Sequence, residues 1–119
     1  MDKYMMIFRN TPTSEEQYQS MSPEQMQASL DQWNAWIGGI AAQGKLIGSD
    51  ALEIDGKILT GSRKALSDGP YVEGKELVSG YLIMQAESEA EAVEAAKGCP
   101  VYEMEGSVEV RKLMVFDHG

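Results

Sequence analysis

The stretch KYMMIFR, residues 3–9, constrains the fold more than any other feature of the sequence. Its apolar side chains fall at both parities: Tyr4, Met6 and Phe8 on one, Met5 and Ile7 on the other. Successive strand residues point to opposite faces of a sheet, so a strand of this kind has to be covered on both sides. Glu76–Ala86 (ELVSGYLIMQA) poses the same problem, with Tyr81 and Ile83 against Leu82 and Met84. The fold must therefore supply two apolar surfaces for one sheet.

Helices supply one of them. Ser22-Pro23-Glu24-Gln25 marks a helix start: Ser22 caps, Pro23 fits the first helical position, and Gln25 completes a capping box. Met26, Leu30, Trp33, Ile37, Ile40 and Ala41 then recur at helical spacing as one apolar stripe, with Trp36 on its flank. Gly38-Gly39 within this helix costs about 1 kcal/mol per glycine relative to alanine, which points to close approach of another backbone. Gly44 ends the helix. Ser88-Glu89-Ala90-Glu91 announces a second, shorter helix packed through Ala92, Val93, Ala95 and Ala96 and stopped by Gly98 and Pro100. Polar residues 10–21, with Pro12, are expected to form a loop. Residues 45–54 are expected as a strand bulged near Gly48. Asp55-Gly56 is expected as a two-residue hairpin turn with Lys57–Thr60 returning, and residues 107–116 as a last strand.

The resulting order is βαββαβ with an inserted hairpin: an α+β, ferredoxin-like domain over residues 1–119, both helices on one face of an antiparallel sheet. Two helices cover one face only. The expected second cover is a second copy of the chain, in a homodimer formed through the open sheet face.

Charge and composition narrow the partners. Ten basic and 19 acidic side chains give a net charge of −9, which disfavours nucleic acid and anionic membrane surfaces. A hydrophobic content of 43% is enough to build a core without disulfides or metal. The single cysteine, Cys99, allows no intrachain disulfide. The apolar run at residues 4–8 is too short for a signal peptide's apolar core, so a cytoplasmic protein is expected. No histidine–cysteine cluster offers a metal site, and no glycine-rich nucleotide fingerprint is present, so no cofactor is expected.

Four stretches, KYMMIFR, AWIGGIAAQGKLIGSDAL, SDGPYVEGKELVSGYLIM and GCPVYEMEGSVEVRKL, span nearly the whole chain in this order. They resemble the YCII-related family, in the branch named for an Asp-Gly-Pro-Phe (DGPF) signature. Tyr71 stands where that signature has Phe. The resemblance implies a dimeric α+β barrel of ferredoxin-like protomers. Some members of the family are associated with extracytoplasmic-function sigma factors, and others look like small enzymes with a His–Asp pair. The only histidine in this sequence is His118, one residue from the C-terminus, which argues against such a pair in an interior cleft.

The candidate ligand site is LSDGPYVEGKE, residues 66–76. One reading is structural: Asp68 holds a turn by accepting backbone hydrogen bonds, and Pro70 fixes the chain. The other is functional: the turn aims Tyr71, Glu73 and Lys75 into a cleft between the sheet and this segment, where they orient a small polar ligand or transfer protons. Arg9 is a candidate partner for a carboxylate ligand or for a local acidic residue. Trp36 is a candidate for a pocket edge or for cover at the sheet margin. The expected function is a cofactor-free small-molecule enzyme or binder. The alternative is a non-enzymatic interaction or regulatory module associated with a sigma factor.

Overall fold

The computed structural model describes residues 1–116; His118 lies outside the described residues. In chain order the elements are β1 (Asp2–Asn10), α1 (Pro12–Gln19), α2 (Pro23–Ala42), β2 (Leu46–Ala51), β3 (Lys57–Thr60), β4 (Ala65–Asp68), β5 (Val72–Glu73), β6 (Glu76–Ala86), α3 (Glu89–Ala96), a 3-10 turn (Pro100–Met104) and β7 (Ser107–Lys112). The main sheet runs β2-β6-β1-β7 with every pair antiparallel, and β5 adds a short pairing to β6. This is the ferredoxin-like α+β arrangement, with α2 and α3 on one side of the sheet.

The two apolar strands lie side by side at its centre. Tyr4, Met6 and Phe8 of β1 and Leu82, Met84 and Ala86 of β6 are buried beneath the helices. They meet Ile40 of α2 and Ala92 and Ala96 of α3, with Val101 of the 3-10 turn closing one end. The other parity, Met5 and Ile7 with Tyr81 and Ile83, is only half-buried and forms the uncovered face. Ser22 and Gln25 make the reciprocal capping box at the start of α2, and the Ser88 hydroxyl accepts from the Glu91 amide at the start of α3.

Three expectations change. Residues 10–21 contain a helix rather than only a loop. Pro12 sits in its first turn, where a missing N–H is no loss, and Thr11 Oγ1 accepts from the Ser14 amide at 3.0 Å. The buried Ser14 donates its hydroxyl to Met104 O at 2.6 Å, which ties α1 to the 3-10 turn. Second, Lys57–Thr60 does not return against β2. It pairs with β4, from Lys57 opposite Asp68 to Thr60 opposite Ala65, as a separate hairpin. The cause is a clamp between two turns: the Gly69 amide donates to Gly56 O at 2.8 Å, so Asp55-Gly56 binds Asp68-Gly69 instead of reversing the chain. Third, Gly38 and Gly39 face open space, with nothing within 4 Å of a Cβ at either position. Among the described residues no backbone approaches them. The last strand ends at Lys112, and the bulge expected near Gly48 is present between Leu46 and Gly48.

Among the described residues one ion pair joins the edge of the sheet to α3. Lys45, just before β2, donates to Glu91 in the first turn of α3, and both side chains are largely shielded. That hydrogen bond is the main reason the Glu91 carboxyl lies below its ordinary 4.5. A lowered native value means that the unfolded chain binds the proton first, so the stabilisation is present above pH 4.5 and is lost as pH falls through the lowered value. Urea unfolding of Glu91→Gln is therefore expected to show reduced stability at pH 7, with the gap from the parent protein closing below pH 4.5.

Candidate functional site

The β1–β6 ladder carries a bulge at its end. Phe8 is opposite Gly80 and Arg9 is opposite Val78, so Ser79 has no partner residue of its own. A Cβ at Gly80 would stand 2.8 Å from Asp50 O, so only glycine lets β2 approach β6 this closely. Ser79 donates its hydroxyl to Phe8 O at 3.3 Å, and its carbonyl accepts from the Leu52 amide at 2.8 Å. Above this end of the sheet α2 continues past the core. Met26, Leu30 and Trp33 hang over the strands, and Tyr18 of α1 approaches from the side.

Between them lies a pocket of about 370 Å³, within the ordinary range for small-molecule sites. Its walls are mainly apolar and aromatic. The Phe8 and Trp33 rings meet edge to face with centroids 5.2 Å apart, and Trp36 supports both at 5.9 Å. Asn10, the last residue of β1, also lines the pocket. It is 3% exposed, and its Oδ1 is the one buried side-chain polar atom among the described residues that lacks a hydrogen-bond partner. Leaving such an acceptor unmet costs about 1–3 kcal/mol. Two of the pocket's hydroxyls are committed elsewhere, Ser79 to Phe8 O and Ser49 to Tyr81 O.

The described residues also bring little charge to the pocket. No Lys or Arg lines it, and the one acidic residue at its edge, Asp50, uses its carboxylate to accept from Tyr81 Oη at 2.6 Å on the uncovered face. That hydrogen bond is the first cause raising the Tyr81 phenol above its ordinary value. The arrangement suits uptake of a neutral organic molecule and supplies it with one strong acceptor.

The sequence-derived candidates are placed elsewhere. Asp68 does not accept backbone bonds; it takes the Lys57 ammonium across the β3–β4 hairpin, with its side chain 84% exposed. Gly69-Pro70 is a cis peptide, and Tyr71 beyond it is 68% exposed. Glu73 is opposite Glu76, with Gly74 and Lys75 as the intervening turn, so Glu73 and Lys75 do not share an extended face. Tyr71, Glu73 and Lys75 are all exposed, and none of them lines the pocket. Against residues 66–76 the structure shows a shallow recess between the two turns, walled by Asp55 to Lys57 with Asp68 and Gly69. Arg9 donates to Glu109 Oε1 at 2.6 Å, and Glu109 is also shared with Arg111 at 3.9 Å. Trp36 belongs to the core, where its indole N–H donates to Ala95 O at 2.9 Å behind Phe8 and Trp33. Cys99 is buried, which pushes its thiol up to about 11 and keeps it protonated at neutral pH.

Asn10 escaped the sequence reading, although its signal was present. It continues the buried parity of Tyr4, Met6 and Phe8 with a polar side chain. A family model described as a YCII-related domain matches residues 3–117. Among solved structures, 5-chloro-2-hydroxyhydroquinone dehydrochlorinase from Burkholderia phenoliruptrix AC1100, in complex with 2,5-dihydroxybenzoquinone, is 18% identical. That match covers 98% of this chain and 95% of the other, with a TM-score of 0.43. No curated protein matches the chain.

The hairpin ion pair gives a direct test of the Asp68 assignment. Because both partners are exposed, Asp68→Ala is expected to lower the unfolding free energy by less than about 1 kcal/mol in urea titration. A larger loss would mean that the carboxylate holds the turn in some further way.

Proposed function

The chain belongs to the YCII-related family, and on that premise we propose that it is a cofactor-free small-molecule enzyme or binder whose ligand enters the pocket beneath α2. The observation that carries this reading is Asn10: a buried, unpartnered acceptor set in an otherwise apolar, aromatic-walled pocket. Native interiors satisfy their buried polar groups, and the exceptions call for a missing partner. Tyr71, Glu73 and Lys75 have no ligand contact in this reading. The test is a thermal-shift screen of small neutral organic compounds against the parent protein and Ser29→Trp, which fills the pocket mouth from α2. Compounds that raise the melting temperature of the parent by mass action are expected to lose that effect in the variant. Shifts that survive in Ser29→Trp would place the ligand elsewhere.

The working form in this proposal is a homodimer formed through the open sheet face. Met5, Ile7, Tyr81 and Ile83 form an apolar centre there, flanked by Asp50 on one side and the Arg9–Glu109–Arg111 cluster on the other. Acidic and basic edges on one patch are what a self-complementary two-fold contact uses. The β3–β4 hairpin adds Leu59 and Leu66, each about two-thirds exposed. The radius of gyration, 16.0 Å, exceeds the roughly 13.5 Å expected for a closed globule of this length, as it does when a protruding arm and a bare face await a partner. Light scattering at micromolar concentration is expected to give the mass of two copies of the 13.1 kDa chain; a mass of one copy would refute the dimer.

A further inference from the structure

The pocket's own chemistry specifies more than its existence. We propose that its ligand is an uncharged planar ring carrying a ring N–H or O–H, which donates to Asn10 Oδ1 while the ring lies against Phe8 and Trp33. This rests on the reading that the pocket beneath α2 is the ligand site.

Three features of the pocket lead to this class. First, polarity: the acceptor on Asn10 is 3% exposed and unpartnered, and the hydroxyls of Ser49 and Ser79 already donate to backbone carbonyls. The other donors in the wall, Tyr18, Ser29 and Asn34, do not bond to it either, and in this proposal the partner is a donor that arrives with the ligand. Second, charge: among the described residues no Lys or Arg is in the wall, so an anion finds no counter-charge, and the Asp50 carboxylate is turned to Tyr81 on the uncovered face, away from a cation in the pocket. An ion there would lose its hydration without a direct ion-pair partner. The net charge of −9 adds a further barrier to anions. Third, shape: the Phe8 and Trp33 rings, inclined at 65°, form a corner that favours a flat face or edge over a bulky aliphatic group. Met26 on α2 gives an adaptable wall beside them.

Other features carry less. The buried Cys99 thiol packs in the core, the recess at Gly56 and Gly69 is bridged by an ion pair, and the charged cluster at Glu109 is internally paired.

The test is calorimetric titration of the full chain with three probes of one shape: indole, 1-methylindole and indole-3-acetate. Indole is expected to bind, 1-methylindole about tenfold or more weaker, and indole-3-acetate weaker still. Asn10→Leu, which replaces the acceptor with an apolar group of similar size, is expected to remove the preference for indole over 1-methylindole. The same variant is expected to unfold at an equal or higher temperature without ligand, because a buried unmet acceptor has been removed. A purely structural Asn10 would instead lower the melting temperature and leave the preference intact. Equal binding of indole and 1-methylindole, or tightest binding of indole-3-acetate, overturns the ligand class while the pocket stands. Absence of binding by all three also overturns the class, and the broader screen with Ser29→Trp then decides the pocket separately. Indole binding that persists unchanged in Ser29→Trp overturns both.

Discussion

The parity of β1 against β6 is the constraint on which the remaining structure depends. Because strand side chains alternate, the register that buries Met6 opposite Leu82 and Tyr4 opposite Met84 also fixes where every other residue of the two strands points. Tyr4, Met6, Phe8 and Asn10 run in one line beneath the helices, and Met5, Ile7 and Arg9 run along the other face. A slip by one residue would exchange a buried row for a half-exposed one. It would also turn Asn10 away from the pocket. The fold, the uncovered face and the site are thus three consequences of one pairing.

The pocket follows from where that line ends. At its centre, helix cover is complete and the side chains are apolar. At its end the bulge at Ser79 and the close approach of β2 at Gly80 alter the strand spacing while α2 continues outward with Met26 and Leu30. The helix stripe is longer than the core it covers, so its first two turns enclose space rather than side chains. The residue facing that space is the one polar member of the line. An apolar residue at position 10 would leave no acceptor unmet, and in the proposed function a ligand meets the one that is there.

Much of this architecture was legible because it rests on periodicity and capping. The α2 start at Ser22, the α3 start at Ser88, and the strand Glu76–Ala86 all follow from local rules that tertiary contacts reinforce. The failures share one cause, a choice between competing local partners that the sequence alone does not rank. Asp55-Gly56 looks like a hairpin turn, yet its carbonyl is taken by Gly69, thirteen positions on, and the returning strand pairs forward instead of back. Thr11-Pro12 reads equally as a loop or as a capped helix, and the contact from Ser14 to Met104 decides for the helix. Gly38-Gly39 implied a neighbour that the described residues do not provide. For the site, a turn rich in charge drew attention to residues 66–76, which lie on an exposed hairpin away from the pocket, whereas the buried, unpartnered amide of Asn10 is a feature whose meaning depends on burial. Burial of a strand's last residue is a tertiary fact.

The most direct measurement is a side-chain-resolved NMR titration of the full chain with indole. The account predicts that the Asn10 carboxamide and Trp33 indole resonances shift together along one binding isotherm, while Tyr71, Glu73 and Lys75 stay unchanged. Shifts confined to residues 66–76, with Asn10 and Trp33 silent, would contradict it and return the site to the exposed turn.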